Sequence, residues 1–169
     1  MPLVKTLSTA AHTSKADAFV SRWGPVALVI RPDEVALRRI TSEFSLPPTL
    51  FTDEGESQMK TLLLMLRQFR KLEVLFLPAS FGRRVLGRSP SCDVVVTHSS
   101  VSKEHAAIHE TPTGWQLEDL KSLNGTAVNG VPTGTTAVPL SDGDTIRIGH
   151  VNLIFVSSST LHAQLLALS

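Results

Sequence analysis

Apolar positions follow two different patterns along the 169 residues. From about residue 71 onward, short β-branched and aliphatic runs alternate with polar segments rich in Gly, Ser, Asn and Pro, the pattern of strands joined by tight turns. It predicts strands over 71–77, 83–86, 93–96, 106–110, 115–119, 126–128, 145–148 and 152–156. Earlier in the chain the apolar residues recur at helical spacing. Pro32, followed by Asp33 and Glu34, suits a first helical turn, and Val35, Leu37, Ile40 and Phe44 supply apolar positions for a helix over 32–43. Pro47 and Pro48 end it. A second helix is predicted over 58–72, where Met59, Leu62, Leu63, Leu66, Phe69 and Leu72 lie near helical spacing and Leu64 and Met65 add apolar surface on the other side. A helix apolar over so much of its circumference is normally buried, so it should pack within the chain or pair with a second copy, the first being favoured. The run Val26 to Ile30 reads as a strand or a buried turn, and the leucines of 159–169 as a short helix.

Length and composition set bounds on function. A 42% hydrophobic content supports a sizeable core, and 169 residues suit one domain with an appendage or two small ones. The net charge of +1 arises from ten basic against seven acidic residues over 1–71 and six against eight over 72–169. Neither half carries the basic field of a nucleic-acid binder. A single cysteine, Cys92, excludes an internal disulfide framework, and the six histidines show no zinc-finger spacing, so neither metal nor cofactor is expected. Residues 1–22 lack the apolar core of a secretory signal, and the first apolar run is far short of the ~20 residues needed to span a bilayer. The expected compartment is the cytoplasm, away from membranes.

The distinctive polar residues sit between the predicted strands of 85–130: Arg88, Ser102, Lys103, His105, Ser122, Asn124 and Asn129. Arg88 offers a planar fork of donors, Lys103 a point charge, Ser102 a hydroxyl and Asn124 an amide, a set suited to an oxyanion attached to a peptide. Loops at the end of a β-sandwich could present them together. In order, Gly87-Arg88, Cys92-Asp93, Ser102-x-x-His105, Gly114-Trp115, Asp119-Leu120, Asn124-Gly125, Asn129-Gly130 and Gly143-Asp144 resemble the forkhead-associated (FHA) domain. The resemblance covers roughly 72–157. It implies a mainly β fold, a twisted antiparallel sandwich of about eleven strands, here with an N-terminal α-helical extension over 1–71 and a helical tail over 158–169. Because little chain separates the first predicted strand from Gly87, the family's opening hairpin is expected to be trimmed.

The resemblance also implies function: docking of a phosphothreonine-containing protein or peptide, downstream of a Ser/Thr protein kinase. On it, Arg88, Ser102, Lys103, Asn124 and Asn129 are the phosphopeptide-binding residues. Gly87, His105, Gly125 and Gly130 brace the loops, the glycines through positive φ, and Trp115 belongs to the core. Two positions depart from the pattern. Leu123 stands where many relatives carry a threonine that reaches the phosphate. Ser100 stands where some place an arginine that selects an acidic residue, so no acidic preference is expected. Three rival readings accompany this one. An enzyme using Ser102 and His105 lacks a nucleophile elbow and any group to orient the histidine. A scaffold without phosphate binding would assemble through the helix at 58–72, and self-recognition would place a phosphorylated Thr49 or Thr52 in the chain's own pocket.

Overall fold

The computed structural model describes residues 4–31, 59, 62–63, 65–67, 72–77 and 82–167. Two helices open the chain, α1 (Val4–Thr13) and α2 (Ala16–Trp23). Eleven strands follow among the described residues: β1 (Val26–Ile30), β2 (Val74–Leu77), β3 (Arg83–Gly87), β4 (Val94–Val95), β5 (Ala106–Thr111), β6 (Gly114–Asp119), β7 (Thr126–Val128), β8 (Val131–Pro132), β9 (Val138–Leu140), β10 (Thr145–Ile148) and β11 (Val151–Ser157). The helix α3 (Ser158–Leu166) closes the described chain. The strands form a six-stranded sheet ordered β2-β1-β11-β10-β7-β8 and a five-stranded sheet ordered β4-β3-β5-β6-β9. Every pairing is antiparallel except β3 with β4.

The core between the sheets is aliphatic, with Leu28, Leu77, Leu86, Ile108, Leu117, Ile146, Ile148, Leu153 and Phe155 buried together. Trp115 is half-buried against this cluster. A second core lies on the outer face of the six-stranded sheet. There Ala27, Val29, Val74, Ile154 and Val156 are covered by Leu7 and Ala11 of α1, Phe19 of α2, and Leu161 and Leu165 of α3. The molecule is therefore a sandwich with a helical third layer. Because β1 has Val26 and Leu28 in one core and Ala27 and Val29 in the other, its apolar run shows no alternation.

Three sequence expectations change here. The opening hairpin is not trimmed: β1 pairs with β2, from Val26 opposite Leu77 to Val29 opposite Val74, and residues 31–73 are inserted between them. The strand at 74–77 is thus the second of the fold, and the segment 1–71 contributes β1 to the interior of a sheet. The predicted strands also omit β8 and β9, which carry Pro132 and Pro139. Both are edge strands, where a missing backbone donor is tolerated.

The helix predicted at 32–43 lies outside the described residues, as do Thr49 and Thr52. Of the segment 58–72, Met59, Leu62, Leu63, Met65, Leu66 and Arg67 are helical. Leu62, Met65 and Leu66 are buried in the helical core, as expected for packing within the chain. That burial removes these three side chains from any surface offered to a second copy. Arg67 donates to the Ala167 carbonyl at 3.3 Å, tying this segment to the end of α3. His162 of α3 places Nε2 3.2 Å from the Ala11 carbonyl and 3.0 Å from that of Ser14, joining α3 to α1.

Candidate functional site

Arg88 follows the last residue of β3, and two backbone bonds hold its loop against the one that precedes β5. The Arg88 N–H donates to the Ser102 carbonyl at 2.9 Å and the Ser89 N–H to the Lys103 carbonyl at 3.0 Å. Arg88 Nε donates to the Val101 carbonyl at 3.0 Å, which orients the side chain. Its terminal guanidinium nitrogens have no partner among the described residues, and the side chain is exposed. Lys103 is likewise exposed. Ser102 Oγ accepts the Leu123 N–H at 3.0 Å, so its own hydroxyl hydrogen stays free for an incoming acceptor.

Gly87 is required for this closeness. A Cβ there would collide with the Lys103 carbonyl and meet Cys92 Sγ at 2.9 Å. Its φ is not among the positive ones, so close approach replaces the expected conformational reason. Gly125, at φ 74, does need the left-handed region.

His105 ties two loops together and is 0% exposed. Its Nδ1 accepts the Ser102 N–H at 3.0 Å, which places the ring hydrogen on Nε2, and Nε2 donates to the Gly125 carbonyl at 3.1 Å. Burial pushes the imidazole below its ordinary value, aided by Arg147 and opposed by the Gly125 carbonyl and Asp119. Asp119 of the Asp119-Leu120 pair has a structural role. Its carboxylate accepts the Ser122 N–H at 3.0 Å, the Ser122 hydroxyl at 2.6 Å and the Thr126 hydroxyl at 2.5 Å, fixing the loop between β6 and β7. Burial raises this carboxyl, but the hydrogen bonds and His105 together bring it below its ordinary value.

A pH dependence follows from the buried neutral His105. A folded-state value below the unfolded one means stability that is present above about pH 6.5 and lost as pH falls through that value. His105→Ala should lower stability by about 1 to 3 kcal/mol at pH 7.5 by leaving the Ser102 N–H and Gly125 carbonyl unpaired. The gap in melting temperature between the two proteins should then narrow toward pH 5.5, and a gap constant with pH would count against the neutral brace.

Asn124 is exposed and donates through Nδ2 to the Ser100 carbonyl at 2.8 Å, which leaves Oδ1 to accept from a ligand. Asn129 is not beside it. Asn129 and Gly130, at φ 51 and 79, form the two-residue turn between β7 and β8, at the opposite end of β7 from Gly125. The Asn129 Oδ1 accepts the Thr145 N–H at 2.9 Å and Nδ2 donates to Asp144 at 2.8 Å. Asn129 and Gly130 therefore sit in the hairpin turn at the far end of β7 from Gly125. The site thus collects Gly87, Arg88, Ser102, Lys103, His105, Asn124 and Gly125.

Leu123, on the rim, is 88% exposed. Ser100 is buried, and it joins loops that the sequence did not connect: Oγ lies 2.8 Å from His98 Nδ1 and accepts the His150 N–H at 2.9 Å. Gly149 packs so closely on Ser100 that a Cβ would lie 2.5 Å from its carbonyl oxygen. Among the described residues, no group of three or more His, Cys, Asp or Glu could hold a metal ion, and no helix is long and apolar enough to cross a membrane.

Residues 84–149 match the family model of the FHA domain. This chain carries an FHA domain. Curated relatives include the oxoglutarate dehydrogenase inhibitor of Corynebacterium jeikeium, 37% identical over 73 residues, which are 43% of this chain and 49% of that protein. The glycogen accumulation regulator GarA of Mycolicibacterium smegmatis is 35% identical over 71 residues, 42% of this chain and 44% of that one. The match to an ABC transporter ATP-binding/permease protein of Mycobacterium tuberculosis, 36% identical over 74 residues, takes in 44% of this chain and 8% of the transporter. The chain thus spans less than half the length of these relatives. Among solved structures, the N-terminal FHA domain of S. cerevisiae Rad53p in complex with a phosphothreonine peptide is 27% identical, with 48% of this chain and 73% of that one covered and a TM-score of 0.43.

Proposed function

We propose that this FHA domain binds phosphothreonine peptides and so docks a protein phosphorylated by a Ser/Thr kinase. One observation supports the reading: two loops clamped together by the Arg88–Ser102 and Ser89–Lys103 backbone bonds carry a guanidinium whose terminal nitrogens have no partner among the described residues, an exposed lysine and a serine hydroxyl with a free hydrogen. That set matches a dianionic phosphate through charge-assisted hydrogen bonds. Asn124 Oδ1, beyond it, suits the main-chain N–H of an extended peptide.

The enzyme alternative finds no support in the geometry. His105 Nδ1 receives the backbone N–H of Ser102 and its Nε2 faces the Gly125 carbonyl, so the imidazole is not poised to take the serine's hydroxyl hydrogen. Titration of matched peptides bearing phosphothreonine, phosphoserine or threonine tests the proposal. Phosphothreonine should bind and threonine should not; equal weak binding of both would overturn the reading. The methyl that separates the two phosphopeptides should be worth roughly ten- to two-hundredfold. Leu123, exposed beside the phosphate site, is the side chain available to cover that methyl.

A further inference from the structure

Three loops meet behind Asn124, and three hydrogen bonds close them into a ring. Asn124 Nδ2 donates to the Ser100 carbonyl at 2.8 Å, joining the loop after β6 to the loop before β5. The Gly149 N–H donates to the Gly125 carbonyl at 3.1 Å, joining the loop after β6 to the turn between β10 and β11. The His150 N–H then donates to Ser100 Oγ at 2.9 Å and completes the ring. Ser100 is therefore engaged twice, by its carbonyl and by its hydroxyl, and it is buried. The hydroxyl hydrogen goes to His98 Nδ1 at 2.8 Å, which also accepts the Ser100 N–H at 3.1 Å. Gly149 seats against this serine so closely that an added Cβ would lie 2.7 Å from Oγ. Every polar atom of Ser100 thus has a partner within the protein.

A carbonyl only accepts, so the Ser100 carbonyl selects one of the two orientations open to the Asn124 amide, Nδ2 inward and Oδ1 outward. The flipped amide would set two acceptors against each other and turn a donor toward a peptide N–H. We propose that Ser100 is a positioning residue for phosphopeptide recognition. Its hydroxyl, fixed by the His150 N–H and His98 Nδ1, holds the Ser100 carbonyl where it orients Asn124 Oδ1 toward a main-chain N–H of the peptide. This rests on the phosphothreonine reading. It gives the turn between β10 and β11 a part in recognition without contact with the ligand. The clamp's own bonds, from the Arg88 and Ser89 N–H groups and from Arg88 Nε, do not use the Ser100 side chain. Ser100 therefore acts on main-chain recognition and leaves phosphate recognition to the clamp.

The test is a series of phosphothreonine peptides in which each main-chain N–H near the phosphothreonine is replaced in turn by an ester oxygen. The exchange removes one donor and changes little else in shape. A position at which the intact protein loses about tenfold in affinity and Asn124→Ala does not marks the N–H that Asn124 accepts. At that position Ser100→Ala should bind amide and ester alike, within about twofold, although it alters no group that touches the peptide. A general loosening of the loops would weaken both peptides equally and keep their ratio, so the ratio and not the affinity is the readout. His98→Ala serves where Ser100→Ala does not fold. It removes an exposed side chain and with it the acceptor of the Ser100 hydroxyl, and the ratio should drop below about fivefold. A full ratio that survives in the folded variant overturns the positioning role alone, as does the lack of any ester position that separates the intact protein from Asn124→Ala. Failure of the all-amide phosphopeptide to bind the intact protein overturns the phosphothreonine reading, and the positioning role with it.

Discussion

Arg88→Ala is expected to weaken phosphothreonine-peptide binding by on the order of a hundredfold while the domain stays folded. Two charge-assisted bonds from the guanidinium fork to phosphate oxygens contribute roughly 3 kcal/mol at the lower end of their range, and both disappear. What the fold loses is smaller. Arg88 is exposed, and among the described residues its one side-chain bond is from Nε to the Val101 carbonyl. The backbone bond from its N–H to Ser102 does not depend on the side chain. Calorimetric titration alongside a thermal melt should show the affinity collapse with the melting temperature within about 2 °C of the parent. Arg88→Lys keeps the charge but not the fork and should fall between the two. Unchanged affinity in a folded Arg88→Ala protein would remove the phosphate site from this loop.

The strands around that site were legible because each is a local signal, a short β-branched run ended by turn residues. β8 and β9 were not, because Pro132 and Pro139 argue against a strand unless its edge position is known. β1 was ambiguous for a different reason. Burial on both faces erases the alternation that identifies a strand, and its partner β2 follows only after the insertion 31–73. Within the proposed site, the loop positions of Arg88, Ser102, Lys103 and Asn124 could be read from their order in the sequence. Asn129 could not, since an Asn-Gly pair serves equally as ligand contact and as a two-residue hairpin turn, and the register of β7 with β8 decides for the turn. His98 and His150 carried no pattern at all. What brings them together is Ser100, which bonds the histidine two residues before it and the backbone of the one fifty residues after it.

Gly87→Ala should be strongly damaging, lowering stability by about 3 kcal/mol through forced overpacking. The reason is not backbone conformation, because Gly87 does not occupy the left-handed region. The new Cβ would collide with the Lys103 carbonyl, an oxygen held in place by the Ser89 N–H at 3.0 Å and the Cys92 thiol at 3.0 Å. Gly87 cannot retreat either, since its carbonyl accepts the Val96 N–H at 2.9 Å and its strand pairs with β4 in register. For a protein of this size the loss corresponds to a fall in melting temperature of roughly 10 °C. Phosphopeptide binding should fail as well, because the displaced strand carries Arg88 away from Lys103. A double variant separates the two obstacles. If the Cys92 sulfur were the main barrier, Gly87→Ala with Cys92→Ala would recover; a backbone carbonyl cannot be trimmed, so the double variant should melt no higher than Gly87→Ala alone. Gly125→Ala offers the contrast, with φ 74 and no atom within 4 Å of its Cβ. Its cost should be conformational, about 1 to 2 kcal/mol, and a Gly87→Ala protein that melts as well as Gly125→Ala would contradict the close approach of the two loops.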